Sequence, residues 1–507
     1  MGASRTKNTA KTFVFGLLNN VINIAFPFAT RTIIIYKLGA EYVGLSGLFT
    51  SVLQILNVTE LGFSSAVSFC LYGPIAQKDE ETICGLVNLL KKLYKIIGAV
   101  ILCAGLAILP GISGFISGEY PASLNIYVLY LIYLANTAVS YLGFAYKGVL
   151  FEAYQEGAIN YKISSIVNAG KYIVQIVVLL WFANYYLYAL ALPIASLIIT
   201  ILTGKISEKK HPEIVPKGTV PKEIKQVIKQ KVFFLSAHSI AATLTNSIDN
   251  IVISGSLGLI STAIYGNYFY IFSAVTNIVI IIYRALKPVI GNMLCVESEE
   301  TKVQVFGITQ FVASWVTMWC TVCMACLYQP FISLWVGEQY LVGSLTLVMI
   351  CLYFYGNSMK SSISGTFIDA AGLWNKTLPR QIVVALLNLV LDVLLVKSYG
   401  LAGIVFASFF ATTIIGLPMD LRVVFKYTLN KNVFTGIRMI GKNAVRDFFI
   451  CCVTYLLCSQ VLLAGWYGIL VKFFICLLIP NVIMIAMKHN TPEFQYVKKH
   501  ILGMLKQ

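Results

Sequence analysis

Residues 110–120 read PGISGFISGEY, and residues 330–340 read PFISLWVGEQY. Both segments carry proline, isoleucine, serine and a final tyrosine at identical positions, although they lie far apart in the chain. A match over such a long separation indicates an internal duplication of the chain.

Two further pairs of segments repeat with nearly the same separation. The dipeptide LG at 38–39 recurs at 257–258. The segment GVLFEA at 148–153 corresponds to GTFIDA at 365–370. Because three independent landmarks share nearly one period, the chain is predicted to consist of two related halves.

The two halves belong to a strongly apolar chain. Of its 507 residues, 58% are hydrophobic and 12% are charged, and the mean hydropathy is +0.80. A soluble protein has about a quarter of its residues charged, so this composition excludes a soluble cytoplasmic enzyme. The aromatic content of 13% excludes a disordered or fibrous chain. A helical protein that crosses a membrane many times is therefore predicted.

Runs of about 20 apolar residues are long enough to cross a hydrocarbon core about 30 Å thick. Fourteen such runs predict fourteen transmembrane helices, six in each half and two at the end. Because six is an even number, both halves have the same orientation and are related by an axis along the membrane normal. The predicted spans are residues 12–36, 43–72, 93–113, 124–148, 161–183, 184–204, 232–257, 261–284, 303–329, 341–365, 379–398, 401–425, 446–464 and 466–487.

The predicted fold class is an all-α integral membrane protein with two parallel-related six-helix lobes and two C-terminal helices. The N-terminal lobe covers residues 1–205, and the C-terminal lobe covers residues 232–426. A basic cytoplasmic linker at 206–231 joins the lobes. A cytoplasmic loop and the last two helices follow at 427–487, and residues 488–507 form a cytoplasmic amphipathic tail.

The distribution of basic residues predicts the orientation. The chain has 38 lysines and arginines against 21 acidic residues, a net charge of +17. With a cytoplasmic N-terminus, 32 of the 38 basic residues lie in cytoplasmic loops or at inner helix ends, as the positive-inside rule requires. Both termini are therefore predicted to be cytoplasmic. The charge reflects topology and attraction to anionic membrane lipids, and does not indicate nucleic-acid binding.

Six charged residues inside the predicted spans are singled out by their depth, because charges at or near span ends can snorkel to the surface. Each costs about 2.5–3.5 kcal/mol at the centre of a membrane helix on insertion scales, so each needs a partner, a water-filled cavity or a function. Three are basic and three are acidic. They are Arg31, Lys171 and Lys360, and Glu60, Asp249 and Asp392.

Arg31 and Lys171 lie deep in their spans, which leaves two interpretations. Either they form internal ion pairs, with Asp249 or Glu60 as the acid, or they contact a substrate. Asparagines on the first span present a similar choice, because their amide groups either line the same cavity or bond across helices, the latter being favoured. These asparagines are Asn19, Asn20 and Asn23.

The sequence lacks the usual signatures of cofactor chemistry. Cys320, Cys323 and Cys326 have the C-x2-C-x2-C spacing of an iron–sulfur ligand run, but they lie in an apolar span with no fourth cysteine at the expected place. They are interpreted as small apolar residues. The four histidines are dispersed, and no G-x4-G-K-S/T phosphate loop occurs. We predict no enzymatic activity, no metal site and no cofactor.

Three stretches resemble a known family: RTIIIYKLGAEYVGL at 31–45, PFISLWVGEQY at 330–340 and GTFIDAAGLWNK at 365–376. With the predicted spans, they resemble the polysaccharide-exporting flippases of the Wzx type, in the multidrug/oligosaccharidyl-lipid/polysaccharide (MOP) exporter superfamily. The resemblance covers nearly the whole chain. It implies a V-shaped pair of lobes around a central cationic cavity, in the cytoplasmic (inner) membrane of a bacterium.

The resemblance also implies a substrate and a mechanism. The substrate is a short oligosaccharide joined through diphosphate to undecaprenol, as in the repeat units of a capsule, an O-antigen or an exopolysaccharide. Alternating access moves it from the cytoplasmic to the outer leaflet. Polysaccharide polymerases and glycosyltransferases are the implied partners. By analogy with related lipid II flippases, the last two helices hold the lipid tail.

The residues agree with an anionic substrate. Desolvated cations bind a diphosphate through charge-assisted hydrogen bonds, and the planar guanidinium of arginine suits phosphate well. We expect Arg31 and Lys171 to hold the diphosphate, and we assign Lys360 to the same cavity. The three intramembrane acids permit optional sodium or proton coupling. A membrane potential, negative inside, favours outward movement of an anion by about 2.3 kcal/mol per charge per 100 mV.

Three alternatives remain open at this point, and one of them, a non-transporting scramblase or scaffold, has no distinguishing sequence feature. A multidrug exporter of the same superfamily, coupled to sodium or protons, usually lacks the last two helices and has a carboxylate-lined cavity, whereas the deep charge of the first span here is Arg31. A polysaccharide polymerase also has many helices. It usually carries a large external loop, however, and every predicted external loop of this chain is short.

Overall fold

The computed structural model describes residues 2–57, 63–118 and 120–504, and every regular element in these ranges is helical. The predicted all-α fold class is confirmed. The α-helices are α1 Gly2–Lys37, α2 Ala40–Leu56, α3 Phe63–Gln77, α4 Glu80–Ile108, α5 Ile126–Leu142, α6 Gly148–Ala153, α7 Ala158–Trp181, α8 Tyr185–Lys210, α9 Lys222–Val296, α10 Glu299–Trp335, α11 Ser344–Ile363, α12 Asp369–Ala371, α13 Trp374–Tyr399, α14 Leu401–Phe409, α15 Leu417–Tyr427, α16 Val433–Ser459, α17 Gly465–Lys488 and α18 Pro492–Met504.

Nine helices within the described ranges are long and apolar enough to cross a membrane, or ten if a pair bent by 47° near the start of α6 counts as one span. The chain is therefore a multi-pass membrane protein. The total of fourteen spans remains a prediction. Predicted spans and helices do not coincide one to one, because spans seven and eight both lie in α9, and span two is divided between α2 and α3.

Glycines with a positive φ mark the repeat in the backbone. α9 is broken at Gly258, whose φ is 86° and ψ is 178°, and Gly39 between α1 and α2 has a φ of 120°. Glycine adopts such angles without the steric penalty of a Cβ atom. The same separation relates Gly118, with a φ of 80°, to Gly337, with a φ of 109°. The two halves therefore turn at matching positions.

The chain forms two compact units, Met1–Ala263 and Ile264–Gln507, called here the first and second units. The division lies inside α9, shortly after Gly258. The sequence instead places the junction in the basic linker at 206–231, and the lobe limits drawn from it remain predictions.

The basic linker at 206–231 is partly helical in the structure. α8 and α9 extend into it and leave only residues 211–221 non-helical. This segment packs on α4, where Asn88 Nδ2 donates to the carbonyl of Gly218 at 2.9 Å. The segment thus belongs to the first unit and is attached to it by specific bonds.

Aromatic residues form the core of the first unit. Phe49 of α2 packs edge-on against Tyr130 and Tyr133 of α5, with ring centroids 5.6 and 5.7 Å apart. The hydroxyls of Tyr133 and Tyr185 are 3.1 Å apart, and Tyr185 donates to the carbonyl of Tyr42 at 3.1 Å. Because these hydroxyls have partners, the core joins α2, α5 and α8 without leaving them unsatisfied.

The last two long helices pack on α10 in the second unit. Trp315 Nε1 donates to Asn481 Oδ1 at 2.8 Å, and Trp319 Nε1 donates to the carbonyl of Cys476 at 3.0 Å. That carbonyl lacks its helical donor because the residue four positions later is Pro480, which has no N–H group. The indole of Trp319 therefore replaces the missing bond and attaches α17 to α10.

A buried ion pair attaches α16 to α10 and α11. The side chains of Arg446 and Asp447 are 5% and 2% exposed, with Nη2 and Oδ1 2.7 Å apart. Arg446 Nη2 donates to Ser314 Oγ at 2.6 Å, and Asp447 Oδ2 accepts from Tyr355 at 2.8 Å and from Ser314. Both charges are compensated inside this network, which we therefore interpret as a structural connection.

Gly44 of α2 permits a close approach of two backbones in the first unit. A Cβ atom at this position would be 2.2 Å from the carbonyl oxygen of Leu259. We expect Gly44→Ala to lower the free energy of unfolding by about 1–3 kcal/mol, because the backbones must separate. Gly73→Ala is the control, since nothing lies within 4 Å of its added Cβ. Thermal unfolding in detergent measures both, and equal melting temperatures would contradict the close approach.

Loss of the Asp447 carboxylate should destabilise the second unit strongly. Asp447→Ala leaves the buried Arg446 without its acid, and breaking a buried ion pair in this way costs about 3–5 kcal/mol. Arg438→Met, a change at an exposed arginine of the same helix, is the matched control. Thermal unfolding of the purified variants measures the effect. If both variants lost equal stability, the network would not be what anchors α16.

Candidate functional site

A row of polar side chains lies between α1 and α7 in the first unit. Ser165 Oγ donates to Asn19 Oδ1 at 3.4 Å. Asn23 Oδ1 accepts from Asn168 Nδ2 at 3.4 Å and from the hydroxyl of Tyr172 at 3.2 Å. Residue numbers rise together along α1 and α7, so the two helices run in the same direction. This agrees with their assignment to the first and fifth predicted spans, which cross the membrane in the same direction. Asn19 and Asn23 thus bond across helices.

Lys171 lies near the middle of α7, beside this row. Its Nζ is 3.4 Å from Asn168 Oδ1 and 3.9 Å from the ring centroid of Tyr172, on which Phe26 of α1 stacks at 5.6 Å. An amide oxygen and an aromatic ring stabilise an ammonium group without neutralising it. No carboxylate in the described part of the chain lies within ion-pair distance of Lys171. Its positive charge is therefore available to an anion.

Arg31 lies farther along α1, where its Nη2 donates to the carbonyl of Ala263 at 3.2 Å. The pairs Asn19–Ser165 and Phe26–Tyr172 have the same separation in sequence, so Lys171 is level with Ala25. At about 1.5 Å per residue, Arg31 is then about 9 Å farther along the helix axis. The two cations therefore border one region of the first unit.

The structure describes only one of the two acids that were predicted to pair with these cations. Asp249 is buried, with 4% of its surface exposed, in the part of α9 that hydrogen bonds to α2. Glu60 lies outside the described residues. The choice between an ion pair and a substrate contact therefore stays open for Arg31. Asn20, the third predicted asparagine, is exposed on α1.

Lys360 lies at the end of α11 beside an ion pair of the second unit. Arg380 Nε of α13 is 2.9 Å from Asp420 Oδ1 of α15, and the two side chains are 5% and 0% exposed. Arg380 Nη1 also donates to Gln381 Oε1 at 2.7 Å. Lys360 interacts electrostatically with both members of the pair. Two cations and one carboxylate leave a net positive charge there.

Two π-helical segments border this cluster. Ser364–Ile368 follows α11, and Phe410–Gly416 precedes α15. Segments of this kind frequently occur at functional sites. Sequence patterns do not single out Arg380 and Asp420, because both lie near inner ends of predicted spans, where snorkelling to the surface is the simpler interpretation. The sequence signal for the pair is an arginine and an aspartate within apolar runs, which does not distinguish them from other charges near span ends.

Asp392 belongs to an oxygen-rich cluster between α13 and α14. It is 0% exposed, and its Oδ2 accepts from Asn388 Nδ2 at 3.1 Å. The same Nδ2 lies 3.3 Å from Ser408 Oγ, and Asn388 Oδ1 is buried with no hydrogen-bond donor among the described residues. Carboxylate, amide and hydroxyl oxygens are the ligands that hard cations prefer. The arrangement thus suits a small cation.

Comparison with known proteins places this geometry in a known fold. Neither a protein-family profile nor a curated protein sequence matches the chain. The structure of the lipid II flippase MurJ in an inward closed conformation matches with a TM-score of 0.69 at 14% identity, covering 96% of this chain and 99% of that one.

Multidrug transporters match over a smaller share of the chain. An inward-facing multidrug resistance MATE family transporter of the MOP superfamily gives a TM-score of 0.57 at 14% identity, covering 81% of this chain and 98% of that one. The Vibrio cholerae MATE transporter VcmN in the bent form gives 0.54 at 14% identity, covering 84% and 98%. The chain therefore has the fold that this flippase and these MATE transporters share.

Proposed function

We propose that the chain is a flippase of the Wzx type, which moves an undecaprenyl-diphosphate-linked oligosaccharide from the cytoplasmic to the outer leaflet of a bacterial cytoplasmic membrane. The observation that carries the proposal is the environment of Lys171. This cation lies near the middle of a membrane helix with no carboxylate within ion-pair distance in the described part of the chain. A charge at that depth needs a partner, a water-filled cavity or a function, and binding an anion supplies the function where no carboxylate partner is in reach.

The diphosphate is the anionic part of such a substrate. Lys171 would donate charge-assisted hydrogen bonds to it, with more strength than to the neutral Asn168 oxygen that it now contacts. Arg31, about 9 Å farther along α1, would reach the diphosphate with its long side chain. Lys360 is a weaker candidate, because Asp420 already balances part of the charge around it.

The amide row between α1 and α7 suits the sugars. The bonds from Ser165 to Asn19 and from Asn168 to Asn23 are 3.4 Å long, beyond the usual range for a strong hydrogen bond. Such bonds exchange at little cost for bonds to sugar hydroxyls. The stacked rings of Phe26 and Tyr172 add an apolar surface beside them.

The share of the chain that each solved structure covers favours a flippase over a drug exporter. The two MATE matches cover 81% and 84% of this chain, whereas the lipid II flippase covers 96%. Residues 427–507 carry α16 to α18. The fraction of the chain that they make up is about the fraction that the MATE matches leave uncovered. Our proposal retains the sequence expectations that α16 and α17 hold the lipid tail, that both termini are cytoplasmic, and that polysaccharide polymerases and glycosyltransferases are partners.

Ion coupling is an optional part of the proposal. The Asn388, Asp392 and Ser408 cluster offers three kinds of oxygen ligand in the second unit. Sodium binding or protonation at Asp392 would link transport to an ion gradient, and Asp249 and Glu60 remain predicted alternatives. The membrane potential would drive export without any ion, since a diphosphate with about two charges gains roughly 4–5 kcal/mol per 100 mV.

Removing the Lys171 ammonium should abolish most transport. We expect Lys171→Ala to reduce surface polysaccharide roughly 10- to 100-fold in cells depleted of the native protein, because a bond to a charged partner contributes about 1.5–3 kcal/mol. Lipid-linked oligosaccharide should accumulate on the inner leaflet. Lys171→Arg, which keeps the charge, should restore part of the export.

Lys162→Ala, a change at an exposed lysine of the same helix, is the matched control for this experiment and should leave export unchanged. Normal export by a well-expressed Lys171→Ala variant would overturn the site assignment. Normal polysaccharide in cells that lack the protein, together with new drug sensitivity, would favour the multidrug exporter.

Sodium coupling can be separated from the effect of the potential in proteoliposomes. With an imposed potassium diffusion potential and no sodium, outward flipping should increase with the potential in both the parent and Asp392→Asn. Any stimulation by a sodium gradient should disappear in Asp392→Asn and persist in Asp369→Asn, whose aspartate is partly exposed and pairs with Lys287. Sodium stimulation that survives in Asp392→Asn would remove the cluster from the proposal.

A further inference from the structure

Three cysteines from three different helices meet in the second unit. Cys326 of α10, Cys458 of α16 and Cys476 of α17 are 5%, 2% and 0% exposed. Their sulfur atoms all lie within 4.8 Å of one another, and Cys458 Sγ is 3.8 Å from Cys476 Sγ. Cys326 is far from the other two in sequence, so only the packing of α16 and α17 on α10 brings them together.

The distances match those of a metal–thiolate site. An ion bound to three sulfurs in a trigonal plane with metal–sulfur bonds of about 2.3 Å holds the sulfurs about 4 Å from one another. A disulfide needs its sulfurs about 2.05 Å apart, and the three thiols are free. The arrangement therefore presents a preformed triangle of sulfur ligands.

The ligand set selects a soft ion. No histidine, aspartate or glutamate in the described part of the chain completes this group of three cysteines. Zinc in structural sites takes four ligands, whereas thiolates are also the preferred ligands of Cu(I), which carries one positive charge. Cys323 packs beside Cys476 without joining the group of sulfurs that lie within 4.8 Å of one another, so three sulfurs without a hard ligand favour Cu(I) over zinc.

A cavity connects the site with the surface of the second unit. It has a volume of about 330 Å³, and Cys326 and Cys458 lie in its wall together with Gln329, Tyr455 and Lys472. Binding of Cu(I) to two thiolates and one thiol releases two protons to water and leaves one net negative charge at the site. The ammonium of Lys472 lies along the same cavity and offsets that charge.

The backbone around the cysteines is held in place independently of any ion. Cys326 and Cys476 each precede a proline by four residues, Pro330 and Pro480, so neither carbonyl receives its usual helical bond. Trp319 satisfies the carbonyl of Cys476 at 3.0 Å. Cys458 Sγ approaches the carbonyl of Lys472 at 3.9 Å. These two contacts tie the backbone at Cys476 to α10 and the Cys458 thiol to α17.

We propose that Cys326, Cys458 and Cys476 bind one Cu(I) ion, which joins α16 and α17 to α10. The proposal does not depend on the transported substrate. The C-x2-C-x2-C spacing in α10 does not form the site by itself: of that run, Cys326 supplies a sulfur to the group of three, and Cys323 packs against the group beside Cys476. The two other ligands come from the last two long helices.

The test uses the full-length protein, purified in detergent under reducing conditions and titrated with Cu(I) against a competing chromophoric chelator. We expect one ion per chain in the parent. Cys476→Ser and Cys458→Ser should each weaken binding at least about 100-fold, since a lost ligand costs more than the roughly 10- to 100-fold typical of a lost outer-shell partner. Cys452→Ser, a change at an exposed cysteine of α16, is the matched control and should bind as the parent does.

X-ray absorption of the copper-loaded parent identifies the atoms bound to copper without any variant. It therefore still tests the proposal if a serine variant fails to fold. Three sulfur neighbours support the proposal, and a site with nitrogen or oxygen neighbours overturns it. Absence of stoichiometric binding, unchanged binding in folded Cys476→Ser, or equal loss in Cys452→Ser also overturns it. Tight binding of zinc without binding of Cu(I) would reject the assigned metal.

Discussion

Hydrocarbon solvates neither a backbone amide nor a charged side chain, so each such group inside the membrane must find its partner within the protein. The charged side chains of this protein differ in how completely their partners compensate them. Arg446 and Asp447 are compensated by each other and by two hydroxyls. Arg380 and Asp420 form a second pair. Lys171 has an amide oxygen and an aromatic ring instead. The degree of compensation separates charges that hold helices together from the charge that is available to a ligand.

Breaks in the regular α-helical backbone lie next to the helix contacts and polar clusters that distinguish this fold. Gly258 interrupts α9 and lets it pass close to α2, and Pro480 frees a carbonyl that an indole of α10 then binds. Two π-helical segments border the Lys360 cluster. Non-helical backbone within a membrane is tolerated where side chains or packed backbone satisfy it. The irregular positions are therefore also the positions where helices are joined and polar clusters form.

Much of the fold could be predicted because the bilayer imposes long apolar helices whatever their tertiary contacts. Repeat landmarks found in the sequence recur as glycines with positive φ at Gly39 and Gly258. The division into helices was less predictable, since hydropathy does not reveal where two spans form one broken helix. The site was predictable only in part. Lys171 is identified by its depth, whereas Arg380 resembles a loop charge until its partner Asp420 is located.

The sequence by itself determined the class of protein, the presence of two related halves and the few charges that a membrane helix would normally avoid, because composition and span length respond directly to the bilayer. Only the tertiary structure decided which of those charges are compensated, because ion pairs and hydrogen bonds join residues distant in the chain. It likewise brought Cys326 together with Cys458 and Cys476. Local spacing could not do so, since the cysteines meet through the packing of three helices.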